Sequence, residues 1–342
     1  MKPVSEIYPH LTKPRNIVIT MHQKPDPDAM GSSLGLYHFL KQFGHSITVI
    51  SPTNWADFLK WMPGSERVLD FESTKDREKV DAALVNADWL FCLDFNHLGR
   101  TRHMAGMLAA LKCTKILIDH HQQPQVEIFD YGVSDVSKSS TCEMVYDLII
   151  ESGHADSIDL DAAQCLYAGV MGDTGSFRFP STTLSVHKMV ADLKSKGLEH
   201  TLIHEAVYDN FLEARLRFIG HVLLNRLEVM YEYDTAYIAI PWKDLVKYNI
   251  KTGDTEGLVN YPLSIQGMKL AALIIDRNEE IKLSFRSKGN FDVNTFARKY
   301  FDGGGHFNAA GGRSTETLEK TVQRFINAVK ENSLQLKSSQ LL

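Results

Sequence analysis

The chain predicts an α/β protein: a parallel sheet with helices on both faces, followed by a smaller α/β domain. Three observations carry this. From Asn16 to about Ser195, short apolar runs alternate with helical patterns. Several of those runs are apolar without polar alternation, as strands covered on both faces must be. After Tyr233 the pattern changes to strands closed by one amphipathic helix. At 342 residues the chain also exceeds the roughly 100 to 200 residues that one core usually serves, so two domains are expected.

In the N-terminal half the strand candidates are residues 17–20, 47–50, 89–93 and 115–118. Helical spacing is clear at Leu36, Phe39, Leu40 and Phe43 before Gly44, and at Ala162, Ala163, Leu166, Tyr167 and Val170 before Gly172. Both helices are expected to end at the glycine. A long helical stretch with interspersed charge carries Ile203, Val207, Leu216, Ile219, Leu223 and Leu227 and has no strand signal. The predicted organisation is therefore an α/β domain over 1–197, a helical connector over 198–230 and a second, smaller α/β domain over 231–342. In the last, residues 236–240, 270–275 and 281–286 read as strands, and Leu318, Val322, Phe325 and Val329 mark the closing helix. The tail from Lys330 is expected to fray beyond its first residues.

Composition narrows the function classes. Hydrophobic residues make up 44% and charged residues 23%, the balance of a folded globular protein. A net charge of −5 gives no general attraction to a long polyanion, so any phosphate recognition is local. Cys92, Cys113, Cys142 and Cys165 form no CxxC pair, which argues against a zinc ribbon and a disulfide framework and for a reducing compartment. The N-terminal residues lack the apolar run of a signal peptide, and no segment approaches the roughly 20 apolar residues of a membrane span. A cytoplasmic protein without membrane attachment is expected.

The residues that suggest chemistry follow the predicted strands, where open parallel sheets bind ligands. His22, Asp26 and Asp28 come after the first strand, with Pro25 and Pro27 stiffening the segment. Each proline biases its predecessor toward extended backbone, where residues two apart project to one side; Asp26 and Asp28 would then converge beside His22. The bland alternative is that Asp26 caps a helix whose first residue is Pro27. Asp94 ends the run WLFCL, and Asp119, His120 and His121 follow KILI. Gly172, Asp173, Thr174 and Gly175 close the second helix, where glycine would permit a turn carrying a carboxylate back to the sheet. Fourteen histidines make any single one weak evidence, so His10, His38, His97, His154 and His221 receive no role. Together the aspartates with His22 and His120 form a mixed carboxylate and imidazole set suited to divalent ions such as Mn²⁺. So many like charges need neutralising.

In this order, His22-x-x-Pro25-Asp26-x-Asp28, the lone Asp94, Asp119-His120-His121 and Gly172-Asp173-Thr174-Gly175 resemble the four motifs of the DHH phosphoesterase family. Gly303, Gly304, Gly305 and His306, followed by Asn308, Ala309, Ala310, Gly311 and Gly312, resemble the signature of the first type of DHH-associated domain, DHHA1. The resemblance covers most of the chain. It implies a binuclear site holding two Mn²⁺, with Mg²⁺ or Co²⁺ able to substitute. His22, Asp26 and Asp94 would hold one ion, and Asp28, Asp94, His120 and Asp173 the other, with Asp94 bridging. A hydroxide shared by the ions would attack phosphorus in line. His121 would stabilise developing charge or protonate the leaving oxygen, and Asp119 would steady the loop or a histidine.

Substrate binding falls to the second half. Three successive glycines can bring backbone N–H groups close to a phosphate as an anion nest, with His306 as a further donor. The run from Ile281 to Arg286 alternates polar with apolar residues, leaving Arg286 on a polar face where it could fork onto a phosphate. The second domain would then close over the first.

Among relatives, the compact two-domain layout resembles nanoRNases that also act on 3′-phosphoadenosine 5′-phosphate (pAp). Short oligoribonucleotides and small nucleotides are the expected partners, and a homodimer is compatible with the sequence. RecJ-type exonucleases carry further modules, and membrane-tethered cyclic-dinucleotide hydrolases carry spans that are absent here. The alternatives are a linear or cyclic dinucleotide phosphodiesterase, a pyrophosphatase or exopolyphosphatase, or a non-catalytic nucleotide sensor.

Overall fold

The four apolar runs of the N-terminal half become central strands of a sheet that pairs only in parallel, joined by three short strands that the sequence does not signal, at residues 2–3, 69–70 and 131–134. In the computed structural model, which describes residues 1–251 and 253–338, these are β1 (Lys2–Pro3), β2 (Asn16–Thr20), β3 (Ser46–Ser51), β4 (Leu69–Asp70), β5 (Trp89–Leu93), β6 (Thr114–Asp119) and β7 (Tyr131–Ser134). They lie in the order β1-β7-β6-β5-β2-β3-β4. The chain leaves β2 toward β3 on one side and returns to β5 on the other, so a switch point lies between β2 and β5. Crevices at such points are where open sheets hold ligands.

Seven α-helices complete this unit: α1 (Pro27–Leu40), α2 (Arg77–Val85), α3 (Ala105–Ala110), α4 (Thr141–Glu151), α5 (Leu160–Asp173), α6 (Leu184–Ser195) and α7 (His200–Tyr208). Strand side chains alternate between two cores. Ile17, Ile19, Phe91, Ile116 and Ile118 pack with residues of α1, α4 and α5, whereas Val18, Leu90, Cys92 and Leu117 pack with Val80, Leu84 and Leu108. Both faces are thus covered, and the strands need no polar side.

Helix α1 is buried almost all round because it lies directly on α5. A β-carbon at Gly31 would sit 2.4 Å from the Cys165 carbonyl oxygen, and one at Gly169 would sit 3.0 Å from the Asp28 Cα. The glycines therefore set how closely the two backbones approach. The turn expected at Gly172 differs from what is found: α5 continues through it to Asp173. Gly172 instead makes room for Pro27, whose Cβ would lie 3.0 Å from a β-carbon there, and the left-handed turn falls at Gly175, with φ 57°. Gly44 does close its helix as expected, with φ 76° after a 3₁₀ turn.

The chain packs as two units, Met1–Asn210 and Phe211–Leu342. The stretch 198–230 divides between them, with α7 in the first and α8 (Glu213–Asn225) in the second. It also holds a strand that its sequence does not signal, β8 (Leu227–Met230), a short half-buried edge pairing antiparallel with β9 (Thr235–Ile240). Beyond these lie β10 (Leu270–Asp276), β11 (Ile281–Ser287), β12 (Gly304–His306) and β13 (Ala309–Ser314). The sheet order is β12-β13-β11-β10-β9-β8, antiparallel except between β9 and β10.

Helices α9 (Trp242–Lys247), α10 (Asn260–Leu263), α11 (Val293–Tyr300), α12 (Leu318–Glu331) and α13 (Ser333–Ser338) complete the second unit. Helix α13 corrects the expectation of a frayed tail. Leu336 is fully buried there, and its carbonyl accepts from Lys269 Nζ at 2.9 Å. Residues 339–342 of that tail lie outside the described residues. Among the described residues, no helix is long and apolar enough to cross a membrane.

Replacing Gly31 by Ala should destabilise the metal-free protein by about 1–3 kcal/mol through overpacking between α1 and α5. Urea unfolding measures this, and an unchanged midpoint would refute the close-contact account.

Candidate metal centre

Three adjacent strands deliver the site. His22 follows β2, Asp94 follows β5, and Asp119, at the end of β6, leads into His120 and His121. Asp26 and Asp28 start α1, and Asp173 ends α5.

Both histidines that face the carboxylates are held from behind. His22 Nδ1 lies 2.8 Å from the Gln23 carbonyl oxygen, which can only accept, so Nδ1 bears the hydrogen. Its Nε2 then faces Asp26 Oδ2 at 3.6 Å and Asp94 Oδ2 at 3.3 Å. His120 repeats the scheme, with Nδ1 3.3 Å from the Lys138 carbonyl oxygen. Its Nε2 lies 3.7 Å from Asp28 Oδ2, 3.5 Å from Asp94 Oδ1 and 3.3 Å from Asp173 Oδ2. A ring anchored through one nitrogen so that the other meets carboxylates is the usual posture of a metal ligand.

Asp94 joins the two groups, with Oδ2 toward His22 and Oδ1 toward His120, and Oδ1 also 3.7 Å from His121 Nδ1. Its backbone is left-handed, with φ 62°. Such conformations cost about 1–3 kcal/mol and persist where the surroundings impose them; here the Asp94 N–H donates to the Ile118 carbonyl at 3.1 Å.

Asp26 combines the two roles weighed for it. Its Oδ1 caps α1, accepting from the N–H groups of Asp28 and Ala29, both at 3.0 Å, while Oδ2 faces His22. The helix begins at Pro27, and this corrects the expected convergence of Asp26 and Asp28 on an extended segment. Asp28 occupies the first helical turn and is turned to the N-terminus of α4. Its Oδ2 accepts from the Thr141 N–H at 2.7 Å and its Oδ1 from the Cys142 N–H at 2.9 Å.

His121 stands beside this cluster. Its Nδ1 is 2.8 Å from Asp119 Oδ1, its N–H donates to Asp119 Oδ2 at 3.1 Å, and Arg100 Nη1 lies 2.9 Å from its Nε2. Asp119 is fully buried and so acts on the ring from behind.

The charges are poorly balanced by protein alone. Burial pushes Asp28 well above the usual carboxylate range, and Asp94 and Asp173 add to it. Burial also raises Asp173, against the opposing bond from His120. Burial works against an ionised Asp94 too, yet the bonds from His120 and His22 hold it well below the ordinary value. For His22, burial and Arg100 disfavour the charged ring, but Asp26 and Asp94 outweigh them and push it up to about 10. His120 is likewise held well above its usual value by Asp173 and Asp94, despite burial. Protonated imidazoles therefore do the work that cations would otherwise do. The donor set fits divalent ions. His22, Asp26 and Asp94 offer atoms all within 4.8 Å of one another, as do Asp28, His120 and Asp173.

Sequence reading missed Thr141 and Arg100. Thr141 Oγ1 donates to Asp94 Oδ1 at 3.0 Å. Its signal was present in Ser140-Thr141-Cys142-Glu143, the pattern of a capped helix start. No comparable signal marked Arg100.

In the second unit, β11 alternates as expected. Ile281, Leu283 and Phe285 are buried, while Lys282, Ser284 and Arg286 line a shallow depression with Thr255 and Glu256. Arg286 Nη1 donates to the Phe285 carbonyl at 3.0 Å. The glycine run differs from the expected nest: Gly304, Gly305 and His306 form β12, opposite Gly311, Ala310 and Ala309 of β13. The Gly305 N–H is taken by Asn294 Oδ1 at 2.9 Å. These glycines allow close approach of backbone, since a β-carbon at Gly303 would lie 2.2 Å from the Gly311 carbonyl oxygen.

Comparison with known proteins agrees with this architecture. Residues 16–170 match the model of the DHH family N-terminal domain, and residues 234–333 match that of the DHHA1 domain. The bifunctional oligoribonuclease and PAP phosphatase NrnA of Bacillus subtilis is 29% identical over 86% of this chain and 88% of its own. The protein of that name from Thermus thermophilus is 28% identical over 97% and 94%. The crystal structure of an exopolyphosphatase-related protein from Bacteroides fragilis superposes with a TM-score of 0.91 at 38% identity, covering 97% of each chain. RecJ from Thermus thermophilus, crystallised in complex with Mn²⁺, shares the fold alone, with a TM-score of 0.52 at 12% identity over 96% of this chain and 54% of its own. The chain thus belongs to the DHH family, with a DHHA1 domain following its DHH domain.

Proposed function

We propose that this protein is a manganese-dependent phosphoesterase that hydrolyses oligoribonucleotides of two to five nucleotides and pAp in the cytoplasm. The observation that carries the reading is Asp94, whose two carboxylate oxygens face two different imidazoles at 3.3 and 3.5 Å. A carboxylate shared between two mixed His and Asp groups suits a pair of closely spaced ions. The substrate class follows from the two NrnA relatives, which are named as oligoribonuclease and PAP phosphatase over nearly the full length of this chain. Mn²⁺ is favoured by the mixed imidazole and carboxylate donors.

His22, Asp26 and Asp94 would hold one ion, and Asp28, Asp94, His120 and Asp173 the other. Two such ions polarise phosphoryl oxygens and acidify water enough to provide a nucleophile near neutral pH. The chain supplies the rest. Asp119 fixes the His121 ring through Nδ1, and Arg100 donates to its Nε2 at 2.9 Å; the ring thereby holds the guanidinium, and the pair is assigned to meet the charge that develops on the departing oxygen. Arg286 and His306 are assigned to substrate phosphate binding, while the glycines 303–305 serve the close approach to β13.

The name of the Bacteroides structure favours testing a second reading, a polyphosphatase. A panel of dinucleotides, longer RNA, pAp, linear dinucleotide messengers, pyrophosphate and polyphosphate separates the two. Dinucleotides and pAp should be cleaved. Preferential cleavage of pyrophosphate or polyphosphate would overturn the proposed substrate class, and no turnover on any member with added Mn²⁺ would leave a nucleotide sensor.

His121→Ala should lower kcat about 10²- to 10⁴-fold while Mn²⁺ stoichiometry stays at the wild-type value; unchanged kcat would remove His121 from the reaction. Asp94→Asn should lose bound metal itself, as read by elemental analysis after gel filtration.

Metal uptake should also depend on pH. His22 and His120 have raised pKa values without metal, so near neutrality each carries a proton that an entering cation must expel. Mn²⁺ affinity should therefore rise with pH, by about tenfold per unit for each proton released. Calorimetry in buffers of different ionisation enthalpy counts those protons; binding without proton release would contradict the charge assignment.

A further inference from the structure

Thr141 lies outside the metal-binding motifs, yet it touches a carboxylate from each of the two ion positions. Its backbone N–H donates to Asp28 Oδ2 at 2.7 Å and its hydroxyl to Asp94 Oδ1 at 3.0 Å. The residue is fully buried at the first position of α4.

The start of α4 is fixed independently of the site. Ser140 Oγ accepts from the Glu143 N–H at 3.1 Å. Glu143 Oε2 accepts from the Ser139 N–H at 2.8 Å and hydroxyl at 2.7 Å, and Oε1 accepts from the Ser185 hydroxyl at 2.6 Å. The helix start is thus anchored before it meets either aspartate. Asp28 receives the Thr141 and Cys142 N–H groups of the first turn, where free N–H groups and the helix dipole favour an anion.

Asp94 needs its hydroxyl partner for a different reason. The terminal torsion of an aspartate is broad and carries little preference of its own. A carboxylate that serves two positions, however, must aim one oxygen at each. The bond from Thr141 Oγ1 reaches Oδ1, the oxygen facing His120, and so selects the rotation that leaves Oδ2 toward His22.

We propose that Thr141 is a positioning residue for the metal pair, with its hydroxyl setting the rotation of the bridging carboxylate and its N–H steadying Asp28. This rests on the two-ion reading and extends it to a residue outside the ligand set. The effect of losing the hydroxyl should fall mainly on the ion held by Asp28, His120 and Asp173, because Oδ1 serves that side.

The test compares Mn²⁺ binding by the wild-type protein, Thr141→Val and Thr141→Ser, using electron paramagnetic resonance of free Mn²⁺, with thermal melts of the metal-free proteins alongside. Valine keeps shape and N–H and removes only the hydroxyl. One of two Mn²⁺ affinities should weaken about 10- to 100-fold in Thr141→Val, and Thr141→Ser should restore it. Thr141→Ala replaces valine should that variant fail to fold. Two undiminished affinities in a folded variant lacking the hydroxyl would overturn the role of Thr141, as would equal weakening of both ions without rescue by serine. A wild-type protein that takes up no Mn²⁺ would instead overturn the two-ion reading, and this inference with it.

Discussion

Four aspartates brought together at the C-terminal ends of the central parallel strands repel one another, and the N-terminal unit is organised around containing that repulsion. Water would screen such charges; a buried cleft does not. The protein answers with two imidazoles, each anchored at Nδ1 by a carbonyl and each drawn toward protonation by the carboxylates it faces. Removing either ring would leave buried negative charge with too little opposing it. The same geometry makes the cluster receptive to divalent ions, which would replace the protons with stronger charges. The same atoms would therefore serve both metal binding and the metal-free state.

Packing keeps these groups in register. Asp28 and Asp173 come from the N-terminus of α1 and the C-terminus of α5, and their spacing depends on how closely those helices lie. Gly31 and Gly169 permit a separation that any larger residue would widen. A third helix, α4, then presents its first N–H groups to Asp28. The glycines between the motifs thus shape the candidate site as much as the motifs do, through backbone distance.

Much of this was legible in the sequence. Strands without polar alternation gave the parallel sheet, because burial on both faces leaves a compositional trace. The acidic and imidazole residues were legible because each follows an apolar run. Other features leave no such trace. Whether Pro27 opens a helix or extends a loop is decided by what Asp26 caps, so the directions of Asp26 and Asp28 could not be read from their spacing. Gly172 looks like a stop signal, yet its task is contact with Pro27, a residue distant along the chain. The run 304–306 pairs as a strand because β13 lies beside it, which the glycines alone do not encode. Thr141 was hidden for the opposite reason: its capping pattern is local and readable, but the partner of its hydroxyl is not.

The backbone of Asp94 restricts which residues can replace it. In the left-handed region, residues with ordinary side chains pay roughly 1–2 kcal/mol, and glycine, asparagine and aspartate are the ones that enter it readily. Of these three, aspartate alone brings a negative charge with two equivalent oxygens. Glutamate, elsewhere a neighbourly exchange, meets both a conformational toll and a longer reach. Backbone conformation and the need for two acceptor oxygens thus narrow the choice at this position together, although neither would do so alone.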